Sequence, residues 1–216
     1  MPNAMGNLTE DLLALGMTLR ETHISRVFLA DERVYKLKKP VQLGFLDFST
    51  LAQRKHFCEV EVELNRRLAD DVYLGVVPIT REAGGVHRLG GEGEPVDYAV
   101  EMRRLSDANA ADVRLREGQL SAADVTRIAE RVAAFHAAAR CDAETAQYGS
   151  AAAIETNVVE NFEQTRESAQ AFLAAPELAA IERWQRGFLQ RERARFALRV
   201  TQGRIRDGHG DLRLEH

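Results

Sequence analysis

Near its C-terminal end the chain reads Asp207-Gly208-His209-Gly210-Asp211, two carboxylates and an imidazole at alternate positions with glycine between them. Glycine opens backbone conformations closed to other residues, so such a loop can aim its side chains at a ligand. A carboxylate held this way can orient a hydroxyl and take its proton as it attacks a phosphoryl group. The same residues also suit a surface turn, or a weak metal site made of His209, Asp211 and His216. A second set lies earlier, at Val34-Tyr35-Lys36, where β alternation puts Val34 and Lys36 on one face. The helix predicted to follow offers Glu59, Glu61 and Glu63. Glu61 is flanked by Phe57, Val60 and Leu64 on the helical face, so it is expected to point nearest the sheet and to pair with Lys36, with Lys38 as the alternative lysine. Each of these residues alone also suits an ordinary solvated surface.

Positioning these groups requires a hairpin, a helix and a meander. Leu8, Leu12, Leu15 and Leu19 mark one face of a leading helix. Ser25–Ala30 and Arg33–Lys38 are β-rich runs joined by Asp31-Glu32, a hairpin pattern, and Pro40–Ser49 reads as a loop. Ser49 or Thr50 caps a helix whose apolar face is drawn through Leu51, Phe57, Val60, Leu64 and Leu68. Val72–Ile79, Gly85–Arg88 and Val96–Arg103 follow as strands. Beyond Leu105 the pattern is helical. Ser121 and Asp124 form a capping-box variant opening a helix through about Ala139, with apolar positions Val125, Ile128, Val132 and Phe135. Further helices are predicted over Glu155–Leu173 and Pro176–Arg199, the latter ended by Gln202-Gly203. The expected fold is therefore α+β, with a sheet-rich part over residues 1–104, a helical part over 105–216, and Arg103–Ala110 connecting them.

With 216 residues, 45% of them hydrophobic and 29% charged, the composition is that of an ordinary globular protein. A formal charge of −4 argues against a general binder of nucleic acid or anionic membrane. Cys58 and Cys141 lack metal-ligand spacing and are expected to be free thiols in a reducing cytoplasm. The first residues lack the order of a signal peptide, and no apolar run reaches the length of a membrane span.

Several strings together resemble an uncharacterised bacterial branch of the aminoglycoside phosphotransferase and choline kinase-like superfamily. They are His23-Ile-Ser-Arg-Val-Phe-Leu29, Val34-Tyr-Lys-Leu-Lys-Lys-Pro40, Gly44-Phe-Leu-Asp-Phe48, Leu64-Asn-Arg-Arg-Leu68, Tyr98-Ala-Val-Glu-Met102 and Gly203-Arg-Ile-Arg-Asp-Gly-His-Gly-Asp-Leu212. The resemblance implies a protein-kinase-like, two-lobed fold and transfer of a phosphoryl group from ATP, with Mg²⁺, to a small-molecule hydroxyl. It implies Asp211 as base within the His209-Gly210-Asp211 motif, Val34 roofing the adenine, Lys36 on the phosphates, Glu61 holding Lys36, and the Glu101–Met102 backbone as the adenine-binding hinge.

Three departures stand beside it. Leu29-Ala-Asp-Glu-Arg33 contains no glycine-rich phosphate cradle, His216 occupies the position of the metal-binding Asn, and no second metal-binding Asp follows. Leu214-Glu215-His216 also fits the start of a vector-encoded tag. The branch often carries a P-loop domain, yet no Gly-x-x-x-x-Gly-Lys-Ser/Thr occurs here. The expectation is a chain inactive or severely impaired as a phosphotransferase by itself, either part of a longer enzyme or a non-catalytic nucleotide-binding or regulatory module.

Overall fold

The computed structural model describes residues 4–43 and 46–213, with side chains from Leu8 onward. The chain divides into two compact units, Met1–Gln119 and Leu120–Leu214. The architecture is α+β: a curled antiparallel sheet with its helices in the first unit, helices alone in the second. Among the described residues no helix is long and apolar enough to cross a membrane.

The first unit starts with helix α1 (Ala4–Leu13) and strands β1 (Thr18–Glu21), β2 (Ser25–Leu29) and β3 (Arg33–Lys38). A short pair, β4 (Gln42–Leu43) and β5 (Leu46–Asp47), precedes helix α2 (Leu51–Ala69). Strands β6 (Tyr73–Arg81), β7 (His87–Leu89) and β8 (Glu94–Arg103) complete a six-stranded sheet of order β1-β2-β3-β8-β6-β7, every neighbouring pair antiparallel. Strand β8 thus inserts beside β3 although a helix and two strands of the same sheet separate them in sequence.

The two faces of the sheet carry different helices, and the side-chain alternation of the strands decides which. Leu8 and Leu12 of α1 pack with Phe28, Leu37, Ile79 and Ala99. Cys58 and Val62 of α2 pack with Val100, and with the partly buried Tyr73, Val76, Tyr98 and Met102. Ala99 and Val100 are consecutive and therefore point to opposite faces. Full burial of a side chain such as Phe28, Leu12 or Ile79 contributes roughly 1.5–3 kcal/mol. On β3 the same alternation puts Tyr35 and Leu37 against α1, leaving Lys36 and Lys38 facing α2.

Helix α2 starts at a capping box, in which Thr50 Oγ1 accepts from Gln53 N and Gln53 Oε1 accepts from Thr50 N. Its buried line is Arg54, Cys58 and Val62 rather than the larger apolar residues, and Leu64 is exposed. The face drawn through Phe57, Val60 and Leu64 is thereby corrected. Cys58 and Val62 meet the sheet at Val100, and the bulkier Phe57, Val60 and Leu64 lie beside that buried line. The leading helix also ends earlier than its leucine spacing implies, since Leu15 is exposed and Leu19 belongs to β1.

After β8, a 3-10 turn (Asp107–Asn109) and a short helix α3 (Ala111–Arg116) lie within the first unit. The second unit comprises α4 (Ala122–Ala138), α5 (Ala143–Gln147), α6 (Ala151–Ala169), α7 (Ala175–Arg191) and α8 (Arg193–Thr201). Ser121 and Asp124 form the capping box at the start of α4. The predicted Pro176–Arg199 helix is interrupted at Glu192, giving α7 and α8. Phe162 of α6 and Leu178 and Leu189 of α7 are buried, whereas Val125 and Ile128 of α4 are exposed. Gly203, at φ +62°, ends the helical run.

Candidate functional site

Where β3 meets α2, three charged side chains converge. Lys36 Nζ donates to Glu61 Oε1 at 2.8 Å and Lys38 Nζ donates to Glu61 Oε2 at 2.7 Å. Lys36 pairs with Val27 and Val100 on its neighbouring strands, and Lys38 with Ser25, so both lysines rise from fixed backbone. Their side chains differ in exposure, 33% for Lys36 and 7% for Lys38, with Glu61 at 13%. The Lys38 ammonium also sits 4.8 Å from the centroid of the Phe48 ring, a cation–π distance.

Burial by itself would push the Glu61 carboxyl up, but the charges and hydrogen bonds of Lys36 and Lys38 outweigh it and hold the group below the usual glutamate range. Burial also pushes the neighbouring Cys58 thiol up to about 11, with Lys38 opposing the shift. Burial and then the Glu61 charge raise the Tyr73 phenol. Two ammonium groups face one carboxylate, so the cluster carries a net positive charge beside the sheet and is suited to an anion.

A second buried charge pair secures α2 about two turns earlier. Arg54 Nε donates to Asp97 Oδ1 at 2.8 Å, with side-chain exposures of 8% and 1%. The guanidinium also donates to the carbonyls of Phe48 and Ser49, and Tyr98 N donates to the Asp97 carboxylate. Burial raises the Asp97 carboxyl, against the opposing pull of Arg54. Sequence reasoning misses both residues. The four-residue spacing of Arg54, Cys58 and Val62 is the available signal, and it is masked because an arginine does not read as part of a buried face.

The expected hinge residues lie inside β8. Glu101 pairs with Tyr35 and Gly75, and Met102 with Val34 and Tyr73, so both sit between two neighbouring strands. The chain leaves the sheet only after Arg103 N donates to Val72 O and Arg104 N donates to Glu32 O. The Glu101 side chain meets Arg33 Nε at 3.5 Å. A cleft of about 490 Å³ opens beside the connector, lined by Asp31 and by Arg104 through Ala108. Val34 is half-buried on the Lys36 face of β3.

In the second unit, residues 204–213 form no helix or strand. Asp207 N donates to Arg140 O at 3.0 Å, and Arg206 Nη1 donates to Ala139 O at 3.2 Å, tying the loop to the segment after α4. Gly210 takes φ +82°, a left-handed conformation that glycine adopts without strain. Asp211 N donates to His209 Nδ1 at 3.2 Å. The Asp211 carboxylate is 66% exposed and 3.4 Å from Arg213 Nε. His216 lies outside the described residues, and among the described residues no group of three or more His, Cys, Asp or Glu could hold a metal ion. Cys58 and Cys141 are free thiols, the first buried and the second exposed.

The chain is 34% identical over 194 residues, 90% of its length, to the uncharacterized protein Rv2004c of Mycobacterium tuberculosis and, to the same extent, to the uncharacterized protein Mb2027c of Mycobacterium bovis. It spans 37% of the length of each of these relatives. No family model matches the chain, and no solved structure matches it significantly.

Proposed function

We propose that the chain is a protein-kinase-like, nucleotide-binding part of a cytoplasmic phosphotransferase that moves the γ-phosphoryl group of ATP to a small-molecule hydroxyl. The observation that carries this reading is the 2.8 Å contact between Lys36, on the third strand of the chain, and Glu61, on the helix that follows it. Kinases place a lysine on that strand against a glutamate from the next helix so that the ammonium meets the α- and β-phosphates. In this reading Lys36 binds phosphate, Glu61 positions it, and Val34 roofs the base. The base meets the connector near Leu105 and Ser106, because the Glu101 and Met102 backbones belong to the ladder. Asp211 orients the acceptor hydroxyl and takes its proton, with His209 accepting the Asp211 N–H to fix the loop.

Among the described residues no group of three or more His, Cys, Asp or Glu could hold a metal ion, and Mg²⁺ enters this proposal as the ion that accompanies the nucleotide, which would be held by the phosphates with one or two carboxylates. The greater length of the mycobacterial relatives leaves room for the P-loop domain that the resemblance implies.

A second reading is a nucleotide-binding module without catalysis, favoured by the exposure of Asp211 and its contact with Arg213. Transfer of labelled γ-phosphate from ATP to a panel of hydroxyl compounds separates the two, using the chain and any longer form its gene encodes. The enzyme reading expects product formation that falls about 10²–10⁴-fold in Asp211→Asn. Nucleotide binding without transfer in every form supports the module, and absence of nucleotide binding overturns both.

A further inference from the structure

Two lysines on one carboxylate is one more than neutralising Glu61 requires, and the pair is not symmetrical. Lys38 is 7% exposed, donates to Glu61 Oε2 at 2.7 Å and rests against the Phe48 ring. Lys36 is 33% exposed and donates to Oε1. If Lys36 were the sole partner, drawing it toward a ligand would strand a largely buried carboxylate without a counter-charge, a strongly unfavourable state. Lys38 removes that obstacle. Its ammonium, enclosed between Glu61 and an aromatic ring, has little to gain by leaving, whereas the Lys36 ammonium already borders solvent.

We infer that Lys38 is the fixed partner that keeps the Glu61 carboxylate in place, and that Lys36 is the exchangeable one, held by Glu61 alone until a polyphosphate ligand binds and then sharing its ammonium with a phosphate group. Lys38 is thus a positioning residue and Lys36 the ligand contact. The identity of the ligand rests on the nucleotide reading above; the division of roles between the lysines rests on burial and contacts alone. The arrangement has a further consequence. Because Glu61 retains a partner throughout, ligand binding does not require the carboxylate to change its protonation state.

The test combines unfolding and binding on the 216-residue chain, with tripolyphosphate and Mg·ATP as probes. The variants are Lys36→Met, Lys38→Met, Glu61→Gln and the two lysine–glutamate doubles. Without ligand, Lys38→Met is expected to lower the urea midpoint several times more than Lys36→Met, because it removes the ammonium on the buried side of Glu61 and leaves only the partly exposed Lys36, and Lys38→Met/Glu61→Gln is expected to regain most of that loss. Lys36→Met is expected to unfold near the wild-type midpoint yet bind tripolyphosphate about tenfold more weakly or worse, the loss of one charge-assisted hydrogen bond. Should Lys38→Met fail to fold, the Lys38→Met/Glu61→Gln double supplies the comparison.

Equal destabilisation by the two lysine variants would overturn the division of roles. So would tripolyphosphate binding that survives Lys36→Met but is lost in the Lys38→Met/Glu61→Gln double. A wild-type chain that binds tripolyphosphate but gains nothing from the nucleoside of ATP leaves the exchange supported and refutes the nucleotide reading. One that binds neither probe refutes the exchange itself, while the unfolding series still judges which lysine is the fixed partner.

Discussion

Helix α2 carries two buried ionic sites, and they are built for different purposes. At its first turns Arg54 and Asp97 are both almost fully enclosed, and the guanidinium and carboxylate have further backbone partners on each side. At Glu61 the enclosure is graded, from the buried Lys38 through the carboxylate to the partly exposed Lys36. A closed pair holds a helix on a sheet; a graded cluster with one ammonium at the solvent boundary can also offer that ammonium to something else. Burial of the individual charges, more than their number, distinguishes a structural ion pair from a candidate binding site.

The sharpest way to break this contrast is at the closed end. Arg54→Ala leaves Asp97 buried without its partner, and the expected loss is about 3–5 kcal/mol in denaturant unfolding, the range for an orphaned buried charge. Replacing both residues, as Arg54→Met/Asp97→Asn, is expected to recover at least half of it. A loss below about 1 kcal/mol, the range of a surface pair, would mean that Asp97 finds water or another donor and that the two sites differ less than described.

A smaller effect separates the sites by pH. Glu61 ionises more readily in the fold than in the unfolded chain, so its contribution is present above the ordinary glutamate value of 4.5 and is lost as pH falls through its lower folded value. Asp97 has a raised folded value, so its contribution runs the other way, present below the ordinary aspartate value of 3.8 and lost as pH rises through the folded one. Glu61→Gln is therefore expected to flatten the acid limb of stability against pH, and Asp97→Asn to steepen it. Unfolding midpoints measured between about pH 3 and 6, the range in which both carboxyls titrate, decide this; identical slopes in the two variants would contradict the assignment.

The hairpin of β2 and β3, the meander, the N-cap of α2 and the capping box of α4 were legible because local patterns determine them: period-two alternation, Asp31-Glu32 between strands, and hydroxyl or carboxylate side chains at helix starts. The Lys36–Glu61 contact followed from placing those elements in order. What stayed hidden depended on close packing between elements distant in sequence. Nothing local distinguishes Arg54 from a surface arginine until β8, inserted beside β3, brings Asp97 to it. Lys38 was visible only as a rival of Lys36, since a sequence shows which face a side chain takes but not that one carboxylate has room for both. The strand ending at Arg103 was legible, but not that Glu101 and Met102 are paired on both sides, which depends on β6 as well as β3 lying beside β8.

The central claim is that Lys36 presents its ammonium to nucleotide phosphate, and calorimetric titration of the chain with Mg·ATP and, separately, with adenosine tests it most directly. The account predicts saturable binding of Mg·ATP that weakens about tenfold or more in Lys36→Met, with adenosine binding weakly and equally to both proteins. Mg·ATP binding of the same strength in Lys36→Met and wild type, or no Mg·ATP binding to the wild-type chain, would contradict it.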